Sequence, residues 1–189
     1  MTKVSGAQAV VDCLIDEGVE YVFSLPGDST VPLVDVFSRT SQIKYICTRH
    51  EQIAVHMADG YARASGKIGV VIVTRSGGAS NIMIGLVTAY SSNSPLLVIA
   101  GDTSTATRGR SDFQEFDMTT MFKPVTKFCE RVERASRIHE VVRRAIKIAH
   151  TGMPGPVFVA IPHDLLREEC ESRRYSSEEY RVSAKPRPD

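Results

Sequence analysis

Three observations predict an α/β sandwich of three layers around a parallel sheet. Short β-rich runs alternate with helix-period patterns along the whole chain, as strands joined by crossover helices do. Two runs, Gly69-Val70-Val71-Ile72-Val73 and Leu96-Leu97-Val98-Ile99-Ala100, are continuously apolar, as central parallel strands are when helices cover both faces. At 189 residues the chain is long enough for one domain with a substantial core and too short for two large ones.

The elements follow in order. Residues 5–17 carry Ala7, Val10, Val11, Leu14 and Ile15 at helical spacing, with Gly18 where a C-cap belongs. A strand is predicted over 21–25, a helix over 31–39, a strand over 43–47 and a helix over 51–65. Strands at 68–74 and 95–100 flank a helix at 79–91, and a helix at 115–122 leads to a strand near 125–128. Ile138, Val141, Val142, Ala145, Ile146 and Ala149 line one face of a helix over 137–150, with Arg143, Arg144 and Lys147 outside. A strand over 157–161 completes a flavodoxin-like sheet of about six strands. Residues 167–189 turn to charge, Ser and Pro, with little apolar surface to bury. A domain over 1–166 and a linker over 167–189 are therefore expected.

Composition narrows the partners. The formal charge is +1 and the basic residues are scattered, so no footprint for nucleic acid or anionic lipid is present. The four cysteines, Cys13, Cys47, Cys129 and Cys170, have neither zinc-ligand nor disulfide-framework spacing and read as free thiols in a reducing compartment. Nothing approaches the roughly 20 apolar residues of a membrane span, and Met1-Thr2-Lys3-Val4 opens no signal peptide. A cytoplasmic protein with a small-molecule or protein partner is the expectation.

Parallel α/β sheets bind ligands outside the carboxyl ends of their strands, which directs attention to the following loops. Arg49-His50-Glu51-Gln52 places Glu51 in the first turn of a helix, where a carboxylate can serve proton transfer or simply complement the helix dipole. In Leu25-Pro26-Gly27-Asp28-Ser29 a Pro-Gly turn brings backbone close to the cleft, and Asp28 or Ser29 can act there or cap the next helix. Thr74-Arg75-Ser76-Gly77-Gly78-Ala79-Ser80-Asn81 joins a central strand to a helix and could cradle phosphate, yet it matches neither the Walker nor the dinucleotide fingerprint. Asp112-Phe113-Gln114-Glu115 follows the strand ending Ala100-Gly101-Asp102 and is also compatible with plain helix N-terminal chemistry. The histidines (His50, His56, His139, His150, His163) form no ligand pattern, so no metal site is expected, and only His50 stands beside a site residue.

The Glu51 segment, continued by Ala54-Val55-His56-Met57-Ala58-Asp59-Gly60-Tyr61-Ala62-Arg63, resembles the Glu motif of thiamine diphosphate enzymes of the acetolactate synthase and pyruvate oxidase group. The likeness runs from about Gly6 to Asp164 and so embraces a domain. It implies the pyrimidine-binding domain of such an enzyme, in which Glu51 hydrogen-bonds the aminopyrimidine and helps the cofactor deprotonate its own thiazolium carbon. Pro26, Gly27, Thr74, Ser76, Gly77, Gly78 and Asn81 would line that ring, Asp28 would handle a proton near the substrate, and Gln114 would reach the substrate region. The family's version of the glycine loop is similar to Ser-Gly-Pro-Gly-Ala-Thr-Asn. Here Arg75 replaces the Ser, Ser76 the first Gly and Gly77 the Pro, which leaves Arg75 either packing against the cofactor or pointing to solvent. Lys123 and Lys127 stand where the family has basic residues. Met153 stands where acetolactate synthases have an Arg that touches flavin, which counts against FAD.

The resemblance further implies an acetolactate synthase-like carboligase or decarboxylase, a lyase or transferase acting on a 2-oxo acid such as pyruvate. Diphosphate and Mg2+ would be held by a separate Gly-Asp-Gly domain, of the same or a neighbouring subunit, that this sequence lacks. The isolated chain is expected to be inactive and to form a homodimer through helices 51–65 and 79–91, with Ile53, Met57, Ile82, Met83 and Leu86 as contacts, some of which must face the sheet. A pyruvate oxidase-type decarboxylase, a non-catalytic partner-binding domain of the same fold and an unrelated nucleotide-binding protein are the rival expectations.

Overall fold

The computed structural model describes residues 2–172. In chain order the elements are β1 (Thr2–Ser5), α1 (Gly6–Asp16), β2 (Tyr21–Ser24), α2 (Val31–Ser38), β3 (Lys44–Cys47), α3 (Glu51–Ser65) and β4 (Gly69–Val73). There follow α4 (Ser76–Ser80), α5 (Met83–Ser91), β5 (Leu96–Asp102), α6 (Met118–Phe122), β6 (Phe128–Arg131), α7 (Ile138–His150), β7 (Val157–Pro162), α8 (His163–Arg167) and β8 (Glu169–Ser172).

Six strands form one parallel sheet in the order β3-β2-β4-β5-β7-β6. Alternation along β5 divides the core. Leu97 and Ile99 face a cluster containing Val10, Leu14, Leu33, Ile138, Val142 and Ile146, hence α1, α2 and α7. Leu96, Val98 and Ala100 face the other cluster, with Ala54, Val55, Leu86 and Phe122 of α3, α5 and α6. Phe122 stacks on Phe158 of β7 at 4.4 Å between ring centroids. Each fully buried Leu, Ile or Phe contributes about 2 kcal/mol, so both helical layers are held by the strands' own side chains. The three-layer α/β sandwich expected from the sequence is thus the observed fold.

Local chemistry moved several boundaries. The helix expected over 79–91 is two helices, because Asn81 and Ile82 make three-residue-spaced bonds to Gly78 and Ala79 before regular spacing resumes at Leu86, after a glycine pair of low helix propensity. The helix expected over 115–122 begins at Met118. Asp117 is its N-cap, accepting from the Thr120 amide at 3.1 Å, while Glu115 accepts from the amides of Gly109 and Asp112 at 2.5 and 3.1 Å. The strand expected near 125–128 runs from Phe128, since Lys123–Val125, with Pro124, forms a 3-10 turn. Lys127 donates to the carbonyls of Ile148, Thr151 and Met153, each at 2.7 Å. It therefore caps α7, and burial pushes its ammonium pKa down.

The pair β1-β8 had no sequence signal, and it places a strand at Glu169–Ser172, antiparallel to β1, inside the stretch expected to be linker. The remainder of that stretch lies outside the described residues. Burial raises the thiols of Cys13, Cys129 and Cys170, Cys129 to about 11.

Candidate functional site

The chain runs from β2 outward to β3 and returns to β4 on the other side of β2. In sheets of this kind the crevice that takes ligands lies at such a reversal of direction, here above the carboxyl ends of β2 and β4. Three of the four loops singled out in the sequence meet there directly, and the fourth reaches in from β5.

Glu51 is the first residue of α3 and only 6% exposed. Its position is set by Thr48, whose hydroxyl donates to the carbonyls of Ser24 and His50 at 3.2 and 3.0 Å, and by His50, whose Nδ1 accepts from the Gln52 amide at 3.1 Å. His50 is thus an N-cap, which satisfies one of the free amides of α3 without engaging Glu51. Asn81 Nδ2 donates to Glu51 Oε2 at 2.9 Å. The other oxygen, Oε1, lies over Gly78: a Cβ added there would fall 2.7 Å from it and 2.6 Å from Thr74 Cγ2, so only glycine lets the loop approach. Among the described residues no side chain donates to Oε1. A buried carboxylate requires polar partners, and a carboxylate with one oxygen uncommitted suits a ring nitrogen that can carry a proton.

Asp28, more than half exposed, lies across the crevice at the end of the Pro26-Gly27 turn. The sequence left it as a possible cap, yet its side chain turns to β4: Thr74 Oγ1 donates to Oδ1 at 3.2 Å and Arg75 Nη2 to Oδ2 at 2.5 Å. The Ser29 and Thr74 hydroxyls are hydrogen-bonded at 2.8 Å, and a Cβ on Gly27 would fall 2.4 Å from Thr74 Cβ. Pro26-Gly27-Asp28 and Thr74 are therefore one packed unit. Arg75 does not point to solvent. It is 8% exposed, with Nη1 donating to the Phe113 carbonyl at 3.1 Å.

Gln114 arrives on the excursion between β5 and α6 with φ 54°, a left-handed conformation that costs a non-glycine residue on the order of 1 kcal/mol. Ser76 Oγ donates to its carbonyl at 2.6 Å and its side-chain amide lies against Gly77. Glu51, Asn81, Gly78, Thr74, Gly27 and Asp28 are thus linked by direct contact, and Ser76 and Gly77 connect Gln114 to them, while Pro26 is exposed at the rim. Thr48 and the Arg75-Asp28 pair are the features that sequence reasoning missed. Thr48 carries no signal beyond preceding a helix, and Arg75 was visible only as an odd residue in a glycine loop.

A second acidic-basic pair stands at the carboxyl ends of β5 and β6, on the wall of a separate cavity of about 150 Å³. Arg131 at the end of β6 donates through Nε to Asp102 Oδ2 at 2.6 Å, to Glu133 at 3.0 Å and to the Thr103 carbonyl at 3.4 Å. Among the described residues no group of His, Cys, Asp and Glu could hold a metal ion, and no helix is long and apolar enough to cross a membrane.

Residues 4–121 match the family model described as the N-terminal TPP binding domain of thiamine pyrophosphate enzymes, and the Glu51 crevice lies within that span. The chain belongs to this family. It is 46% identical over 164 residues to the acetolactate synthase large subunit of Haemophilus influenzae, covering 87% of this chain and 29% of the relative. It is 43% identical over 166 residues to the acetolactate synthase isozyme 3 large subunit of Escherichia coli, covering 88% and 29%. A solved structure from Mycobacterium smegmatis, provisionally assigned as a thiamin diphosphate-dependent enzyme, superposes with a TM-score of 0.86 at 29% identity, covering 92% of this chain and 33% of that one. The chain thus spans less than a third of the length of the curated relatives it matches.

Proposed function

We propose that this domain supplies the proton-handling half of the active site in a thiamine diphosphate-dependent enzyme of acetolactate synthase type, acting on a 2-oxo acid such as pyruvate. The observation that carries the reading is Glu51: a carboxylate buried at a helix N-terminus, held on one oxygen by Asn81 and uncommitted on the other. When bound, the cofactor supplies the electron sink on which a 2-oxo acid can lose carbon dioxide. Glu51 then exchanges a proton with a ring nitrogen of the aminopyrimidine, and Asn81 keeps its carboxylate aimed. Pro26, Gly27, Thr74, Ser76, Gly77 and Gly78 would hold that ring. Asp28, reachable from solvent, serves a later proton transfer, and Gln114 orients the substrate.

Diphosphate and Mg2+ belong, in this reading, to a second domain, in keeping with relatives more than three times as long as the match. Ile53, Met57, Ile84, Val87 and Tyr90 of α3 and α5 are each at least 40% exposed, an apolar face suited to a neighbouring subunit in a homodimer. Ile82 and Leu86, expected in that contact, are fully buried in the core instead. A cytoplasmic setting accompanies this reading.

The test is turnover of pyruvate and other 2-oxo acids by the full-length protein with thiamine diphosphate and Mg2+. Cofactor-dependent release of carbon dioxide is expected, and its absence with every 2-oxo acid tried would overturn the reading. Calorimetry on the 189-residue chain alone should find thiamine diphosphate binding weaker than about 1 μM.

A further inference from the structure

Arg75 joins three loops that are remote in sequence. Its guanidinium meets Asp28, 47 residues earlier, at 2.5 Å and the Phe113 carbonyl, 38 residues later, at 3.1 Å, and it lies 5.8 Å from the Phe113 ring centroid. The adjoining Ser76 hydroxyl holds the Gln114 carbonyl at 2.6 Å, and Gly77 lets the Gln114 amide close over the loop. Among the described residues the buried Arg75 Nε has no hydrogen-bond partner. A buried donor left unmet is a cost that a purely structural pair avoids. Arg131 avoids it, since each of its three nitrogens has an acceptor.

We propose that Arg75 is a positioning residue: a two-armed clasp that fixes Asp28 and the strained Gln114 turn against the glycine loop, so that both face Glu51 across the crevice. The inference rests on the site reading above and deepens it. The clasp needs the planar fork of arginine, because one Nη atom engages each loop. A lysine ammonium at the end of a flexible stem does not reproduce that geometry.

Hydrogen exchange and kinetics on the full-length protein test it, with Arg75→Gln, Arg75→Lys, Asp28→Asn and the Arg75→Gln/Asp28→Asn double variant. In Arg75→Gln the amides of residues 107–117 should exchange about tenfold faster while β4 and β5 keep their protection. The same variant should lose about tenfold or more in kcat, with its thiamine diphosphate Kd within about threefold of wild type. Arg75→Lys should not restore the rate, and the double variant should be no slower than the worse single one. Unchanged exchange in residues 107–117, full rescue by lysine, or multiplicative losses in the double variant would each overturn the clasp. A Glu51→Gln enzyme of wild-type rate would instead overturn the site reading, and the exchange result would still judge the clasp by itself.

Discussion

At the carboxyl ends of β2 and β4 an aspartate meets an arginine across two loops, and at the carboxyl ends of β5 and β6 a second aspartate meets a second arginine. In the first pair Asp28 is 57% exposed and Arg75 keeps a buried Nε without an acceptor among the described residues. In the second, Asp102 and Arg131 are both less than 10% exposed in their side chains, and Glu133 and the Thr103 carbonyl complete the guanidinium's partners. A fully satisfied buried pair fixes the edge of a sheet. A pair with one member open to the cleft leaves a carboxylate available for chemistry. The same two residue types thus make a closed pair at one end of the sheet and a half-open pair at the other.

The largest expected effect breaks this contrast at its centre. Glu51→Gln in the full-length protein keeps shape and the Asn81 contact but removes the carboxylate, so kcat should fall by about 100-fold or more with little change in the urea midpoint. A rate within a few-fold of wild type would return Glu51 to the role of a dipole-complementing residue.

Next comes the structural pair. Arg131→Met strands Asp102 in the core and should destabilise the domain by about 3 kcal/mol in urea unfolding. Adding Asp102→Leu should recover most of that loss, because a hydrophobic replacement no longer buries a lone charge. Asp28→Asn, at the half-open pair, leaves the buried Arg75 guanidinium a neutral acceptor and should cost about 1–2 kcal/mol while altering product partition or rate. Equal stability losses at the two pairs would erase the distinction between them.

A smaller effect is expected at Gly78→Ala. Its Cβ would fall 2.7 Å from Glu51 Oε1 and 2.6 Å from Thr74 Cγ2, so the carboxylate or the loop must shift, and cofactor affinity in the full-length protein should weaken by about tenfold. Calorimetry showing wild-type affinity would mean that the loop's close approach to Glu51 is incidental.

The smallest effect is a pH dependence at the cap of α6. The hydroxyls of Thr119 and Thr120 and the Thr120 amide hold the Asp117 carboxyl at about 2, against 3.8 in its unperturbed state. Because the folded value is the lower one, its contribution is complete above about pH 4 and is lost as pH falls towards about 2. An NMR titration of Asp117 and of the α6 amides should follow one transition in that window. A midpoint near 3.8 would show that the cap does not hold in solution.

How much was legible in the sequence depended on the range of the signal. Glu51 was legible because a strand, a polar turn and a helical period adjoin it. Ser76 and Gly77 read as loop and are in fact the first residues of α4, and the break at Asn81 that turns its amide to Glu51 was not legible, since Ile82, Met83 and Leu86 continue an unbroken helical pattern. Glu115 looked like part of a helical first turn and proved to be a backbone acceptor ahead of the helix, while Asp117 took the cap. Both readings use the same preference of carboxylates for free N–H groups, so local sequence does not choose between them.

The sequence by itself determined the layers. Alternation of period 2 and 3.6, two continuously apolar strands and a Glu at a helix start are local properties, fixed by which side chains must leave water. Only the tertiary structure decided that β4 returns beside β2 and not β3, that β1 finds β8 at the far end of the chain, and that Arg75 chooses Asp28 over solvent. Strand order and side-chain partners separated by tens of residues depend on how whole faces pack together, and no local period encodes that choice.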